Sequence, residues 1–90
     1  MNNKEKEIML IAQEECAEVT QAISKVFRFG FNSKHPERAM NNRECLEEEI
    51  GDLMCMVDLM IEHNMINRNN ILYASGNKRK KLEQWSSIMK

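Results

Sequence analysis

Two carboxylate pairs share one spacing in this chain: Glu15 with Glu18, and Glu49 with Asp52, each three residues apart. On a helix, side chains at i and i+3 are neighbours, so each pair presents its oxygens to one side. Two such pairs turned towards each other place like charges around one volume, and a hard divalent cation is the simplest compensation. Ligation by oxygen alone suits Mg²⁺ or Mn²⁺, and Mg²⁺ keeps waters and substrate phosphates in its shell. Glu14, Glu47 and Glu48 extend the acidic runs to QEE and EEE. They are expected to be solvated, with Glu14 the best placed to add a ligand or orient an attacking water. Basic groups accompany the acids. Lys25 falls on the side of the first helix that carries Glu18, Arg28 follows it, and Lys78, Arg79, Lys80 and Lys81 form a late run. One or two of that run are expected to face inward, with Lys78 and Lys81 sharing a face. Carboxylates flanked by Lys and Arg suit a polyphosphate, in which a metal meets some oxygens and the cations the rest. For the late run, a solvated helix face favoured by the helix dipole is the alternative.

Helices must position these groups. Apolar residues recur at helical spacing from about Lys4 to Phe29, namely Ile8, Ile11, Ala12, Val19, Ala22, Ile23 and Val26. Glu15 lies about 20° from the centre of that face at 100° per residue, with Glu18 on its shoulder. A carboxylate there is costly unless a cation or donor compensates it, a Lys or Arg from another helix being the alternative to a metal. Gly30 and Pro36 bound a loop, and Asn41 or Asn42 caps a second helix, with Glu44 completing a box with Asn41. Its stripe is Leu46, Ile50, Leu53, Met54, Val57, Met60, Ile61 and Met65. Glu49 and Asp52 flank that stripe, with Cys45, Met56 and Leu59 apolar on their other side. A break at Asn64 to Asn67 precedes a third helix from about Arg68 to Ile88, in which Gly76 marks a kink or a close approach. The spacing predicts an all-α fold of three main helices, an antiparallel bundle completed by homo-oligomerisation, as one domain over 1–90. A ferritin-type di-iron bundle requires Glu-x-x-His pairs. Met60 and Asn32 stand where such a Glu would precede His63 and His35.

Bulk properties agree with this picture. The chain has 90 residues, a net charge of −1, 42% hydrophobic and 30% charged residues, so as a whole it is no polyanion binder. A domain this short has a modest core of its own, which favours association with further copies. Three cysteines (Cys16, Cys45 and Cys55) without CxxC spacing argue against a disulfide framework and a structural zinc site. Each is expected to be a small buried hydrophobe in a reducing compartment. The first fifteen residues lack a sustained apolar region, and no run approaches the roughly 20 residues of a membrane span, so a cytoplasmic protein is expected.

EECAE at 14–18 followed by EIGD at 49–52 resembles the EExxE and ExxD signature of the MazG-like branch of the all-α NTP pyrophosphatase superfamily. AISK at 22–25 and a late stretch from Lys78 to Trp85 extend the resemblance over nearly the whole chain, and the composition is similar to phage-encoded members. The resemblance implies Mg²⁺-dependent hydrolysis of a nucleoside triphosphate to the monophosphate and pyrophosphate. It implies Glu15, Glu18, Glu49 and Asp52 as metal ligands, and a dimer or tetramer with the site near the subunit interface. Within that mechanism Glu14 or Glu15 accepts the water's proton, and Lys25, Lys78 and Lys81 bind phosphate. The segment Phe27-Arg28-Phe29-Gly30-Phe31 departs from the family pattern where an aromatic wall for the base could lie. A rival expectation is a non-catalytic helical dimer that binds nucleic acid or a partner protein through the Lys78–Lys81 run, without magnesium and with salt sensitivity.

Overall fold

Asparagine caps set the helix starts. In the computed structural model, which describes residues 1–90, the chain is all-α: α1 is Asn3–Phe29, α2 Asn42–Glu62 and α3 Arg68–Trp85. Asn2 accepts from the Glu5 N–H at 2.8 Å while Glu5 accepts from the Asn2 N–H at 3.0 Å. Asn41 and Glu44 repeat this reciprocal pair at 2.9 and 3.1 Å. Each box satisfies donors that a helix start would otherwise leave unpaired. Asn67 accepts from the Asn70 N–H at 3.1 Å to open α3. Gly30 stops α1 at φ 88°, a left-handed conformation that costs glycine little. Asn64, at φ 57°, turns the chain after α2.

The sequence spacing predicts α3 to Ile88, but the helix ends at Trp85. Ser86 is extended, and its hydroxyl oxygen accepts from the Ile88 N–H at 3.1 Å, a local bond that competes with helix continuation. Gly76 is an ordinary helical position with open space around it, so the expected close approach is absent.

The loop between α1 and α2 is pinned at both ends. The first two N–H groups of α2, on Asn42 and Arg43, donate to the Ser33 and Phe31 carbonyls, each at 2.9 Å. The Asn42 amide donates to the Gly30 carbonyl at 3.0 Å, and the Arg43 guanidinium lies 4.5 Å over the Phe31 ring. This return makes the two helices antiparallel. Ile8 and Ala12 near the start of α1 pack with Met56 towards the end of α2, and Ile11, Leu59, Met60 and Met65 close around them. At the other end Ala22 and Cys45 are buried. Among the buried and half-buried residues of α1, those at 8, 12, 15, 19, 22 and 26 follow alternating steps of four and three, with Glu5, Ile11 and Lys25 half-buried beside them. On α2 the matching line is Cys45, Glu49, Asp52, Met56 and Leu59. Such lines are the seam of a helix pair, and three carboxylates occupy its middle.

Little else is covered. Only Ile8, Ala12, Ala22, Cys45 and Met56 are buried. Of the sequence-predicted stripe of α2, Leu46, Leu53, Val57, Met60, Ile61 and Met65 are half-buried, while Ile50 and Met54 stand exposed. Cys16 and Cys55 are also exposed, against expectation, because both lie off the seam. The chain measures 42 × 38 × 14 Å, and the thin dimension has room for about two helix layers at most. α1 and α2 are the pair in extensive contact, and α3 projects from them with no buried residue. No helix is long and apolar enough to cross a membrane.

Candidate metal centre

At the middle of the seam the carboxylate oxygens of Glu15, Glu49 and Asp52 lie within 4.8 Å of one another. Glu15 and Glu49 are half-buried and Asp52 is exposed. The grouping follows from helix geometry: Glu15 is one turn beyond the buried Ala12, and Glu49 and Asp52 sit one turn from Cys45 and Met56, respectively.

The electrostatics are repulsive. Partial burial first, and then the charges of Asp52, Glu18 and Glu14, hold the Glu15 carboxyl above its ordinary value. Glu49 is raised by partial burial first, then by Glu18, Asp52, Glu15 and Glu48. Every charge acting on the two is negative, so a compensating Lys or Arg, the alternative to a metal at Glu15, finds no support within the chain. A site of this kind, all oxygen and short of positive charge, can hold a divalent cation.

That strain has a measurable consequence. A carboxyl raised in the folded state binds its proton more tightly there than when unfolded. Its contribution to stability is fully present below the unfolded value, 4.5 here, and is lost as pH rises through the raised folded value. Without metal, the thermal midpoint of the Glu15→Gln variant should overtake that of the wild type as pH rises from about 4 to 7. A midpoint difference that stays constant across this range would contradict the arrangement. Added divalent cation should raise the wild-type midpoint at pH 7 and move the variant less.

Glu18 lies outside the tight group, yet its charge reaches Glu15 and Glu49, and it lines a cleft of about 110 Å³ with Glu49, Lys25, Arg38 and Asn42. Glu14 is exposed and acts on Glu15 by charge. Lys25, half-buried, lines this cleft and a larger one of about 550 Å³ beyond it. Lys78 and Lys81 line neither cleft. All four basic residues of the late run are exposed, so the expectation that one or two face inward fails within one chain, because α3 leaves the helix pair. Arg38, which lines both clefts with its Nη1 3.9 Å from Cys45 Sγ, was missed in the sequence. Its one signal there was a cation in the long loop between the two acidic motifs.

Comparison with known families places these groups in a wider pattern. The family model described as "MazG nucleotide pyrophosphohydrolase domain" matches residues 3–80, a span that contains all four acidic candidates, Lys25 and Lys78. Neither the curated proteins nor the solved structures yield a match to the chain.

Proposed function

This chain belongs to the MazG nucleotide pyrophosphohydrolase family, and from that premise we propose that it is a magnesium-dependent nucleoside triphosphate pyrophosphohydrolase. It cleaves the α–β phosphoanhydride to give the monophosphate and pyrophosphate. The observation that carries this is the carboxylate group at the seam, in which the charges that raise Glu15 and Glu49 are all carboxylates.

The oxygens of Glu15, Glu49 and Asp52, within 4.8 Å of one another, form the all-oxygen donor set that suits a hard divalent cation. Glu15, Glu49 and Asp52 would hold one or two Mg²⁺, with Mn²⁺ a chemical substitute, and Glu18 would complete the set across the small cleft. When bound, the metal polarises the α-phosphoryl oxygen and acidifies the attacking water. Water adds to the α-phosphorus, the bond to the bridging oxygen breaks, and pyrophosphate leaves with that oxygen. Glu15 or Glu14 accepts the water's proton. Lys25 neutralises charge on the phosphates from its place in both clefts. Lys78 and Lys81 would reach a polyphosphate only from a second copy of the chain, since α3 projects from the helix pair.

Homo-oligomerisation, as a dimer or tetramer, belongs to the same proposal. The accessible surface is 7349 Å², against about 5,500 Å² for a compact monomer of this size. The radius of gyration is 16.1 Å, against about 12 Å. The excess exceeds the roughly 800 Å² per partner of a standard interface, and exposed Ile50, Met54, Leu72 and Tyr73 supply the apolar surface for it. Three free thiols suit a reducing, cytoplasmic setting.

The direct test is incubation with a panel of canonical, deoxy and modified nucleoside triphosphates in Mg²⁺, scoring pyrophosphate against orthophosphate. Pyrophosphate with the monophosphate is the expected product pair for at least one nucleotide. Orthophosphate alone, or no product from any, would overturn the assignment.

A further inference from the structure

The larger cleft, about 550 Å³, lies between the end of α1 and the loop that follows it. That volume is within the roughly 300–1,000 Å³ of small-ligand sites. Lys25, Lys34 and Arg38 line it against a single carboxylate, Glu37, so its charge is positive. His35 also lines it, and its Nδ1 accepts from the Glu37 N–H at 3.1 Å, which leaves Nε2 as the ring's donor. Lys25, Arg38 and Asn42 line the smaller cleft as well, which carries Glu18 and Glu49. The two clefts thus adjoin, running from acids at one end to cations at the other.

We propose that the larger cleft is the subsite for the phosphates beyond the cleaved bond, with Arg38 and Lys34 binding them alongside Lys25. The inference rests on the pyrophosphohydrolase proposal and gives it a direction. The α-phosphate sits at the carboxylates, and the chain of leaving phosphates runs towards the loop. A positive cleft suits a pyrophosphate group better than a neutral base, because guanidinium and ammonium groups each offer several donors to phosphate oxygens. Loss of a charge-assisted contact of this kind is expected to cost about tenfold or more in affinity. The subsite therefore selects triphosphates over diphosphates.

The experiment measures binding of inorganic pyrophosphate to the full chain in Mg²⁺ by calorimetry, for the wild type, Arg38→Ala, Arg38→Lys and Lys34→Ala. Turnover of a triphosphate and its diphosphate is measured on the same samples. Pyrophosphate affinity should fall about tenfold or more in both alanine variants and recover partly in Arg38→Lys. kcat/KM should fall for both substrates, and further for the triphosphate, which places two phosphates in the cleft against the diphosphate's one. Pyrophosphate binding that depends on Arg38 in a protein that hydrolyses no nucleotide would support the subsite while overturning the activity. Pyrophosphate affinity indifferent to both residues in an active enzyme would overturn the subsite alone. A changed ranking of bases with unchanged pyrophosphate affinity would likewise overturn it, assigning the cleft to the nucleoside.

Discussion

Replacing Asp52 with Ala is expected to lower magnesium-dependent release of pyrophosphate by on the order of 10³-fold, because a metal contributes several kcal/mol of charge stabilisation in the transition state. Asp52 is exposed, so its removal leaves no cavity and the helical content should be unchanged. Its loss also relieves repulsion on Glu15 and Glu49, so the metal-free variant should be at least as stable as the wild type at neutral pH. Lower activity combined with retained stability is the signature of a functional carboxylate rather than a structural one. Glu18→Ala should be less damaging, since Glu18 stands outside the tight group and reaches the site through the small cleft. Circular dichroism and a pyrophosphate-release assay on both variants decide the matter. Retained activity in both would rule out the four-carboxylate site.

The second large effect concerns assembly. With five buried residues and an excess of exposed surface, a single chain has too little core to offset its conformational entropy. Unfolding should therefore be coupled to dissociation. A tenfold rise in protein concentration should raise the thermal midpoint by about 3–6 °C. Met54→Glu places a charge on the exposed stripe of α2, where Met54 is 61% exposed in the isolated chain. Burying that charge in an interface costs several kcal/mol, so the variant should dissociate and lose most of its helical signal at micromolar concentration. Sedimentation and far-ultraviolet dichroism would show both losses together. A variant that remains folded and unchanged in mass would remove this face from the interface.

Local chemistry was legible in the sequence, and long-range register was not. Asn41 with Glu44, and Gly30 at the end of α1, act through hydrogen bonds within a few residues, so the helix limits could be read without the fold. Glu15 within an apolar stripe was equally readable, because one turn of helix relates it to Ala12. The end of α3 escaped only because Ser86 binds its own neighbourhood rather than extending the helix. The carboxylate spacing, and with it the metal chemistry to look for, was thus a property of the chain itself. Which face of α2 meets α1 was decided by tertiary structure. Both its faces are apolar, and the choice of Cys45, Glu49, Asp52 and Met56 over Ile50 and Met54 depends on the antiparallel return set by the pinned loop. The same return brings Arg38 beside Cys45, seven residues on and across the helix start, where no periodic pattern could place it. The direction of α3, set by the turn at Asn64, separates Lys78 and Lys81 from the site of their own chain. The sequence therefore determined the acids at the centre of the site, while the packing of helix on helix decided which cations stand beside them.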